Sequence, residues 1–317
     1  MPPKMIVITG PTATGKTKLG VALAKKVGGE VVSADSMQVY KLMDIGTAKP
    51  TADEMQGITH HMMDVVSPFE EYSVARYVED AVKCVEDILA RGRTPILVGG
   101  TGLYIESLLS GRDFAARNDE LHREISERFD EIGGEKMLRE LSVIDPERAE
   151  KLYANDKKRI VRAFEIYYET GKTISQHDWE SQKLPPRYDA CKIALSFTNR
   201  ETLYHRINAR VDGMMENGLY EEVLSLLNLG LDIGHTAMQA IGYKELLLVA
   251  GGKGTLAEAV DKIKMESRRY AKRQLSWLRR DEGINWIFFK DEPKNDNSLQ
   301  YSTEILEKYG YNVVVDR

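Results

Sequence analysis

Residues 10–17, with the sequence GPTATGKT, constrain the fold more than any other segment of the chain. They match the phosphate-binding pattern G-x-x-x-x-G-K-[ST], and they stand between an apolar run at residues 5–9 and a segment of helical pattern. In such a loop, consecutive backbone N–H groups at a helix N-terminus favour a bound anion. The predicted phosphate-binding residues are Gly10, Pro11, Thr12, Ala13, Thr14, Gly15, Lys16 and Thr17. The hydroxyl of Thr17 is also the predicted ligand of a Mg²⁺ ion.

The segments around this loop alternate between strand and helix patterns. Strands are predicted at residues 5–9, 30–35 and 96–98, and one helix follows the phosphate loop as far as the glycine pair at residues 28–29. A second helix is predicted at residues 72–92, with a serine placed to cap its start and a glycine to end it. The alternation predicts an α/β fold: a P-loop NTPase-like core with a mostly parallel sheet flanked by helices.

The pattern changes in the middle of the chain. Residues 115–182 are charged and helical in period, which predicts an all-helical insertion. A strand at residues 192–197 restores the core, followed by helical segments at 200–229 and 255–280, a last core strand at 285–289, and a tail that adds one helix and one strand. The predicted domains are the first part of the core at 1–114, the insertion at 115–185, and the second part of the core with its tail at 186–317.

Composition narrows the choice of partners and compartment. The formal net charge of −5 over 317 residues does not favour a nucleic-acid partner unless a local basic patch exists. Cys84 and Cys191 lie in apolar contexts and are predicted to be reduced thiols. His60 and His61 are chain neighbours whose side chains diverge, so they are not predicted to share a metal ion. No signal-peptide pattern and no membrane span are found, so we expect a cytoplasmic protein, and nothing suggests more than a monomer.

Two polar residues follow predicted strands on the side where ligands bind in open α/β sheets. Asp35 ends the second strand, and it is either a turn former or a carboxylate that accepts a proton from a nucleophile. Thr101 follows the third strand, and it caps a helix, donates to a phosphate oxygen, or does both. No carboxylate ends that third strand, where a nucleoside triphosphate hydrolase would hold Mg²⁺.

A basic helix is predicted at residues 262–280, where eight lysines and arginines accompany a single acid, Glu266. A solvated face is the usual role of a charge run, but the nearly unmixed sign makes polyanion binding an equal alternative. A second basic cluster lies at residues 157–162. Arg206 and Arg210 stand one helical turn apart, where they either reach phosphates or pair with acids.

Six segments, taken in order over residues 5–280, resemble those of the bacterial tRNA dimethylallyltransferases. The segments are GPTATGKT, SADSMQVY with LMDIGTAKP after it, HHMMD, VGGTGLYI, QAIGYKE and KRQLSWLRR. The resemblance implies that the phosphate loop holds dimethylallyl diphosphate, with Mg²⁺ as cofactor. It further implies that the dimethylallyl group moves to N6 of adenosine 37, beside the anticodon, in tRNAs that read codons beginning with U. Eukaryotic relatives carry a C-terminal zinc finger, which two distant cysteines cannot form.

The resemblance also implies roles for individual residues. Asp35 would hold the adenine amine and take its proton. Lys16, Thr101 and Arg210 would act on the diphosphate, with Arg206 the rival of Arg210. The helical insertion would be a clamp over the anticodon arm. The implied tRNA-binding residues are Asp35, Ser36, Met37, Gln38, Thr101, Arg123, Arg159, Ile160, Val161, Arg162, Ala163, Gln239, Ala240, Ile241, Gly242, Tyr243, Lys244, Lys272, Arg273, Gln274, Leu275, Ser276, Trp277, Leu278 and Arg279.

Three other functions remain as alternatives at this stage. An ATP-dependent small-molecule kinase would share the fold but leave the basic helix without a role. An isopentenyltransferase acting on free adenine nucleotides would share the loop and Asp35 but would need neither the insertion nor two basic clusters. A non-catalytic, nucleotide-gated RNA-binding protein would use the basic helix but give Asp35 no role.

Overall fold

The computed structural model describes residues 2–111, 118–290 and 297–314, and the chain divides into two compact units. One unit contains Met1–Leu109 and Tyr188–Arg317, and the other contains Ser110–Arg187. The predicted domain boundary between residues 114 and 115 lies outside the described residues, and the second predicted boundary is two residues away from the one in the structure.

The first unit is built on a six-stranded sheet in which every pair of neighbours is parallel. The strands are β1 Lys4–Thr9, β2 Gly29–Ala34, β3 His60–His61, β4 Thr94–Gly99, β5 Asp189–Phe197 and β6 Ile284–Phe289. Their order in the sheet is β3-β2-β4-β1-β5-β6, so β1 lies between β4 and β5. The predicted α/β fold with a parallel sheet is confirmed.

Helices connect these strands and also form the second unit. The helices are α1 Lys16–Val27, α2 Ala52–Met55, α3 Val74–Ala90, α4 Gly102–Leu109, α5 Asp119–Ile132, α6 Gly134–Ile144, α7 Pro146–Glu150, α8 Lys157–Thr170, α9 Ile174–Gln182, α10 Arg200–Glu216, α11 Leu219–Asn228, α12 Tyr243–Ala250, α13 Leu256–Leu278 and α14 Ser298–Lys308. A short 3₁₀ turn, Ala237–Gln239, precedes α12. None of the helices in the described part of the chain is long and apolar enough to cross a membrane.

The core of the first unit explains its strand sequences. β1 and β4 are continuous apolar runs because both faces of a parallel sheet are covered by helices. At the end of β1, Gly10 has a φ of 139°, and a Cβ there would meet the carbonyl oxygen of Leu195 at 2.4 Å. Only glycine fits this position, so the chain turns directly from β1 over β5 into the phosphate loop.

Two predicted elements need correction. The helical segment at 200–229 is not one helix, because Gly218 adopts a φ of 94° and separates α10 from α11. β2 begins at Gly29, which the sequence pattern assigned to the end of the preceding helix; Gly28 alone is the left-handed cap of α1. By contrast, α3 is capped by the Ser73 side chain as predicted, and α13 begins at a capping box on Thr255.

The tail covers the core of the first unit. Leu306 on α14 is buried in the same apolar cluster as residues of α1, β1 and β5. The backbone N–H of Val314 donates to the carbonyl of Lys26 at 3.0 Å. The predicted tail helix is confirmed, whereas residues 311–314 are not part of a strand, and residues 315–317 lie outside the described residues.

The second unit consists of α5–α9 around its own apolar core. Ile125, Met137, Leu141, Ile160 and Phe164 are all almost completely buried there. The helical pattern predicted for this part of the sequence is therefore confirmed in the described residues.

A buried carboxylate, that of Glu30, lies at the amino end of β2, which is the end of the sheet away from the phosphate loop. Glu30 is 2% exposed and pairs with Arg91, Arg93 and His61. Hydrogen bonding from Arg91, followed by that from His61, lowers the pKa of Glu30 to about 2 against the opposing effect of burial. In this cluster the Nε2 of His61 is hydrogen-bonded to Glu30, and the Nδ1 of His60 donates to the carbonyl of Ile58.

We expect Glu30→Ala to lower the free energy of unfolding by about 2 kcal/mol at pH 7, because the charges of Arg91 and Arg93 lose their buried partner. Since the folded pKa of Glu30 lies below the unfolded value, its contribution is present above pH 4.5 and is lost as the pH falls towards 2. Urea unfolding at pH 7 and pH 3 measures both effects. Glu86→Ala, an exposed acid on α3, is the control; an equal loss in the control, or a loss independent of pH, would contradict this account.

Candidate active site

The phosphate loop is held in shape by its own side chains. The ammonium of Lys16 donates to the carbonyl of Pro11 at 2.8 Å, and the hydroxyl of Thr14 donates to the same carbonyl at 2.9 Å. From α10, the Nε of Arg206 donates to the carbonyl of Ala13 at 2.9 Å. Arg206 therefore supports the loop from outside, through its backbone.

A cavity of about 240 Å³ lies between this loop and the carboxyl ends of β2 and β4. Ten of the predicted site residues line it, and among them are Lys16, Thr17, Asp35 and Arg210. The other residues that line it are Thr12, Ala13, Thr14, Gly15, Lys18, Val31, Ser33, Gln38, Ala48, Pro50, Glu54, His60, Met63, Val98, Gly99, Gly100, Tyr270 and Gln274. We call this space the donor cavity. Three positive side chains line it, together with carboxylates from only two residues. This composition suits a polyanion.

A second cavity of about 460 Å³ adjoins the first. Thr12, Asp35, Arg210 and Tyr270 line both cavities, so these four residues form the common wall. Eight of the other seventeen residues that line the second cavity were predicted to bind RNA: Ser36, Met37, Gln239, Ala240, Ile241, Gly242, Lys244 and Arg273. We call this space the acceptor cavity.

The charges around the common wall act on one another. Burial and the nearby Arg210 guanidinium lower the pKa of Lys16 to about 7, and Asp35 partly offsets them. Burial also lowers the pKa of Arg210, again with Asp35 opposing. Burial and the Asp35 carboxylate raise the pKa of Tyr270 to about 12, so its phenol remains protonated at neutral pH. A bound anion would relieve the repulsion between the two cations.

Asp35 is fixed by the turn that follows β2. Its Oδ1 accepts hydrogen bonds from the backbone N–H groups of Met37 at 2.9 Å and Gln38 at 3.4 Å. The next residue, Ser36, donates its N–H to the hydroxyl oxygen of Thr101 at 3.1 Å. Thr101 therefore ties the Asp35 turn to the start of α4, and it is adjacent to the cavities rather than among the residues that line them.

The side chain of Gln38 is engaged within the protein. Its Nε2 donates to the carbonyls of Thr47 and Ala48 at 3.3 and 3.2 Å, and its Oε1 accepts from the hydroxyl of Ser33 at 2.9 Å. Reading of an adenine edge by this amide would require these bonds to break. In this conformation Gln38 supports the cavity wall.

Six side chains that were predicted to bind RNA are buried in the structure. In the second unit, three residues of the predicted segment belong to the apolar core, because a helix presents only one face to solvent; they are Ile160, Val161 and Ala163. In the first unit, Tyr243, Gln274 and Leu278 are at most 7% exposed. Burial argues against direct contact of RNA with these six side chains in this conformation, and their part in binding stays a prediction. The exposed residues include Arg123, Arg159, Lys272, Arg273, Ser276 and Arg279, with Arg162, Leu275 and Trp277 partly exposed.

Gln274 has a different role from the predicted one. Its Oε1 accepts from the N–H of Thr12 at 3.0 Å, and its Nε2 donates to the carbonyl of Gly100 at 2.9 Å. Tyr270 was not predicted as a site residue, although it lies on the same helix and stands in the common wall. A single tyrosine in a basic helix carries no local signal of its position, because that position follows from the packing of α13 against the sheet loops.

The described residues offer little for a metal ion on their own. They contain no cluster of three or more His, Cys, Asp or Glu side chains that could hold one. Near the phosphate loop, the Thr17 hydroxyl and the Asp35 carboxylate are candidate oxygen ligands. Mg²⁺ commonly keeps several waters and binds through one or two protein oxygens plus substrate phosphates, so this donor set fits magnesium that is bound together with a diphosphate.

The comparisons with known proteins identify the family. A family model described as IPP transferase matches residues 38–281. The tRNA dimethylallyltransferase of Acetivibrio thermocellus is 48% identical over 297 residues, which cover 93% of this chain and 94% of that protein. The chain belongs to this family. The tRNA dimethylallyltransferase of Carboxydothermus hydrogenoformans is 45% identical over 315 residues, 98% of this chain and 99% of that protein. The family resemblance of the six sequence segments is confirmed.

Solved structures of tRNA prenyltransferases share the fold. The tRNA delta(2)-isopentenylpyrophosphate transferase of Staphylococcus epidermidis has a TM-score of 0.70 at 40% identity, covering 96% of this chain and 99% of that chain. A eukaryotic dimethylallyltransferase, described as acting on tRNA, has a TM-score of 0.85 at 32% identity, covering 99% of this chain and 81% of that chain. The family's enzymes are prenyltransferases, and neither a kinase nor a free-nucleotide enzyme is supported by these similarities.

The low pKa of Lys16 has a measurable effect on anion binding. At pH 8 the neutral amine must take up a proton before it can pair with a phosphate oxygen, so pyrophosphate binding to the wild type should be linked to proton uptake. Relative to Lys16→Arg, whose side chain stays charged, wild-type affinity should fall by up to about tenfold per pH unit above pH 7. Calorimetry in buffers of different ionisation enthalpy measures both. Equal proton uptake by the two proteins would contradict the assigned pKa.

Proposed function

We propose that this chain transfers the dimethylallyl group of dimethylallyl diphosphate to N6 of adenosine 37 in tRNAs that read codons beginning with U, releasing diphosphate. The observation that carries the proposal is the common wall. Asp35, a proton acceptor, stands between a phosphate-binding cavity and a cavity lined by the Gln239–Lys244 segment. A donor bound on one side and a base on the other would meet at this residue.

The donor cavity is suited to the departure of diphosphate. Breaking the allylic C–O bond leaves positive charge on carbon and develops negative charge on the leaving oxygen. The loop N–H groups, Lys16 and Arg210 are fixed around the place where that charge grows, which lowers the barrier without reorganisation. Mg²⁺, held by Thr17 and the phosphates, would neutralise further charge on the diphosphate. We assign Arg210 to the diphosphate and Arg206 to the support of the loop.

Asp35 removes the proton from the adenine N6 amine. When the adenine N6 attacks the allylic carbon, a new C–N bond forms, the C–O bond breaks, and the amine must lose one proton. The Asp35 carboxylate accepts two backbone hydrogen bonds through Oδ1, which hold it at the common wall. Thr101 supports it through Ser36. Asp35 therefore acts as the general base, and Thr101 positions the turn that carries it.

The acceptor adenine must leave its stack to reach Asp35, as bases do when enzymes modify them. The acceptor cavity has room for one base, and its wall includes Ser36, Met37 and residues 239–242. Arg273 stands over the ring of Tyr270 at 5.6 Å from the centroid, beside the common wall. These groups supply polar and stacking contacts for a flipped base.

Exposed basic residues supply the contacts to the tRNA backbone. Lys272, Arg273 and Arg279 lie on the exposed face of α13, while Lys264 and Arg268 pair with α10 through Asp212 and Asn208. In the helical unit, Arg123 and Arg159 are exposed, and we assign that unit to the anticodon arm as a clamp. Asp156 and Glu165 pair with Arg159 and Arg162, so RNA phosphates would compete with these acids. A single chain carries every proposed site residue, so a monomer suffices.

Replacement of Asp35 by Asn tests the chemical role without changing the shape of the side chain. We expect kcat for the transfer of radiolabelled dimethylallyl groups into unmodified tRNA to fall about 10²–10⁴-fold, because the amide accepts no proton. Binding of the tRNA should change little. Asp53→Asn, an exposed acid on α2, is the matched control. Failure of the wild type to label tRNA, with prenylated AMP or consumed ATP in parallel reactions, would overturn the proposed function in favour of an alternative.

The basic face of α13 is tested by salt dependence. Lys272→Ala and Arg279→Ala should each weaken binding of an anticodon stem-loop, and each should reduce the slope of log K against log salt concentration by about 1, because one phosphate contact is lost. Fluorescence anisotropy at several salt concentrations measures the slope. Lys308→Ala removes a charge from α14 and serves as control. Slopes equal to that of the wild type would place the RNA elsewhere.

A further inference from the structure

One carboxylate outside the cavities makes an unusual set of contacts. Glu222, in the first turn of α11, accepts through Oε2 from the backbone N–H groups of Asp44 and Ile45, both at 2.8 Å. Its Oε1 accepts from the N–H of Gly46 at 3.2 Å and from the phenol of Tyr243 at 2.6 Å. Four donors from two distant parts of the chain therefore converge on a single side chain.

The loop that Glu222 holds has internal hydrogen bonds of its own, from the N–H of Ala48 to the carbonyl of Ile45 and from the N–H of Lys49 to the carbonyl of Asp44, but the N–H groups of residues 44–46 are bound by Glu222. Residues 41–50 lie outside the helices and main strands, and Leu42 and Ala48 adopt left-handed φ angles of 65° and 48°, which are costly for residues with a Cβ. Three consecutive N–H groups point at one place and form a nest for an anion. Without the carboxylate of Glu222, these donors would lack their charged partner inside the protein.

Tyr243 fixes the same loop from a second direction. Its side chain is fully buried, and a Cβ at Gly46 would lie 2.4 Å from its ring, so the loop backbone packs directly on the aromatic face. Its neighbours Gly242 and Lys244 line the acceptor cavity, as do Gly46 and Thr47 from the loop. The contact between Glu222 and Tyr243 thus joins two walls of that cavity.

The loop also reaches the general base through hydrogen bonds. The carbonyls of Thr47 and Ala48 accept from the side chain of Gln38, and the N–H of Gln38 donates to Oδ1 of Asp35. A displacement of residues 44–48 would therefore move the turn that holds Asp35. The phosphate loop is held by other contacts, which include those of Arg206 with Ala13 and of Gln274 with Thr12.

We propose that Glu222 and Tyr243 form a latch that positions residues 44–48, and through them the acceptor cavity and Asp35. They are positioning residues for transfer to RNA, and this role rests on the proposed function. The latch sets the affinity for the acceptor and the alignment of the base. The donor is affected less, because Ala48 is the one residue of 44–48 that lines the donor cavity, whereas Gly46 and Thr47 line the acceptor cavity. The anion nest is occupied by the protein's own carboxylate, so it is not a further phosphate site.

The test compares Glu222→Ala with Glu221→Ala. Both acids lie in the first turn of α11, so both variants lose the same interaction with the helix dipole, and the buried residues Leu219 and Val223 hold the helix in each. For Glu222→Ala we expect kcat/KM for tRNA to fall about tenfold or more, with KM for dimethylallyl diphosphate within about twofold of the wild type. Tyr243→Phe keeps the ring and loses one bond, so a fall of about threefold is expected.

Hydrogen exchange gives a readout that does not depend on catalysis. Amides of residues 44–46 should exchange at least about tenfold faster in Glu222→Ala than in the wild type or Glu221→Ala. Unchanged exchange would contradict the latch. Faster exchange would also contradict it if kcat/KM for tRNA were unchanged, if the KM of the donor rose in proportion, or if Tyr243→Phe matched the wild type. A wild type that does not prenylate tRNA would instead overturn the proposed function, and the exchange rates would still decide whether the latch holds the loop.

Discussion

The amide of Gln274 is the contact on which the arrangement of the site depends. It joins the phosphate loop, through Thr12, to the loop after β4, through Gly100. A Cβ at Gly100 would lie 2.2 Å from the Nε2 of Gln274, so this approach is possible only for glycine. Because a buried amide left without partners is costly, the bond pair fixes α13 in one register against the sheet. Tyr270, one turn earlier on the helix, is thereby placed between the two cavities.

The charges in the donor cavity are arranged for a ligand rather than for stability of the free protein. Burial lowers the pKa of both Lys16 and Arg210, the charge of Arg210 lowers that of Lys16 further, and Asp35 offers only partial compensation. The free protein satisfies the Lys16 ammonium with a carbonyl of its own loop. A diphosphate would supply the negative charge that this set of groups lacks. The uncompensated positive charge of the free protein would therefore favour both the binding of the diphosphate and its stabilisation as a leaving group.

The sequence predicted those parts of the molecule whose structure is decided locally. The phosphate loop needs particular glycines, and the strands of a covered parallel sheet are apolar runs, so β1, β2, β4 and their loops could be placed from the residues alone. The convergence of Lys16 and Asp35 on one cavity followed from the rule that ligands bind at the carboxyl ends of strands, whereas Arg210 was assigned to the diphosphate by the family resemblance.

Other features depend on contacts between distant residues and could not be predicted. Matching a whole segment to a family assigned Gln274 and Ile160 to RNA, whereas the rotation of each helix turns both side chains inward. Glu222 lies 176 residues from Gly46, and nothing in its neighbourhood in the sequence distinguishes it from Glu221. The break at Gly218 was missed because apolar residues on both sides continue a helical period.

The position of β1 in the sheet has a consequence for synthesis of the chain. Its partner on one side is β4, but its partner on the other side is β5, which begins at Asp189, after the whole helical unit. Until β5 has left the ribosome, β1 is an open edge, and the turn at Gly10 lacks the Leu195 backbone beneath it. A growing chain can therefore complete the helical unit while its phosphate loop is still unsupported, and the site forms only when the last third of the protein returns to the first.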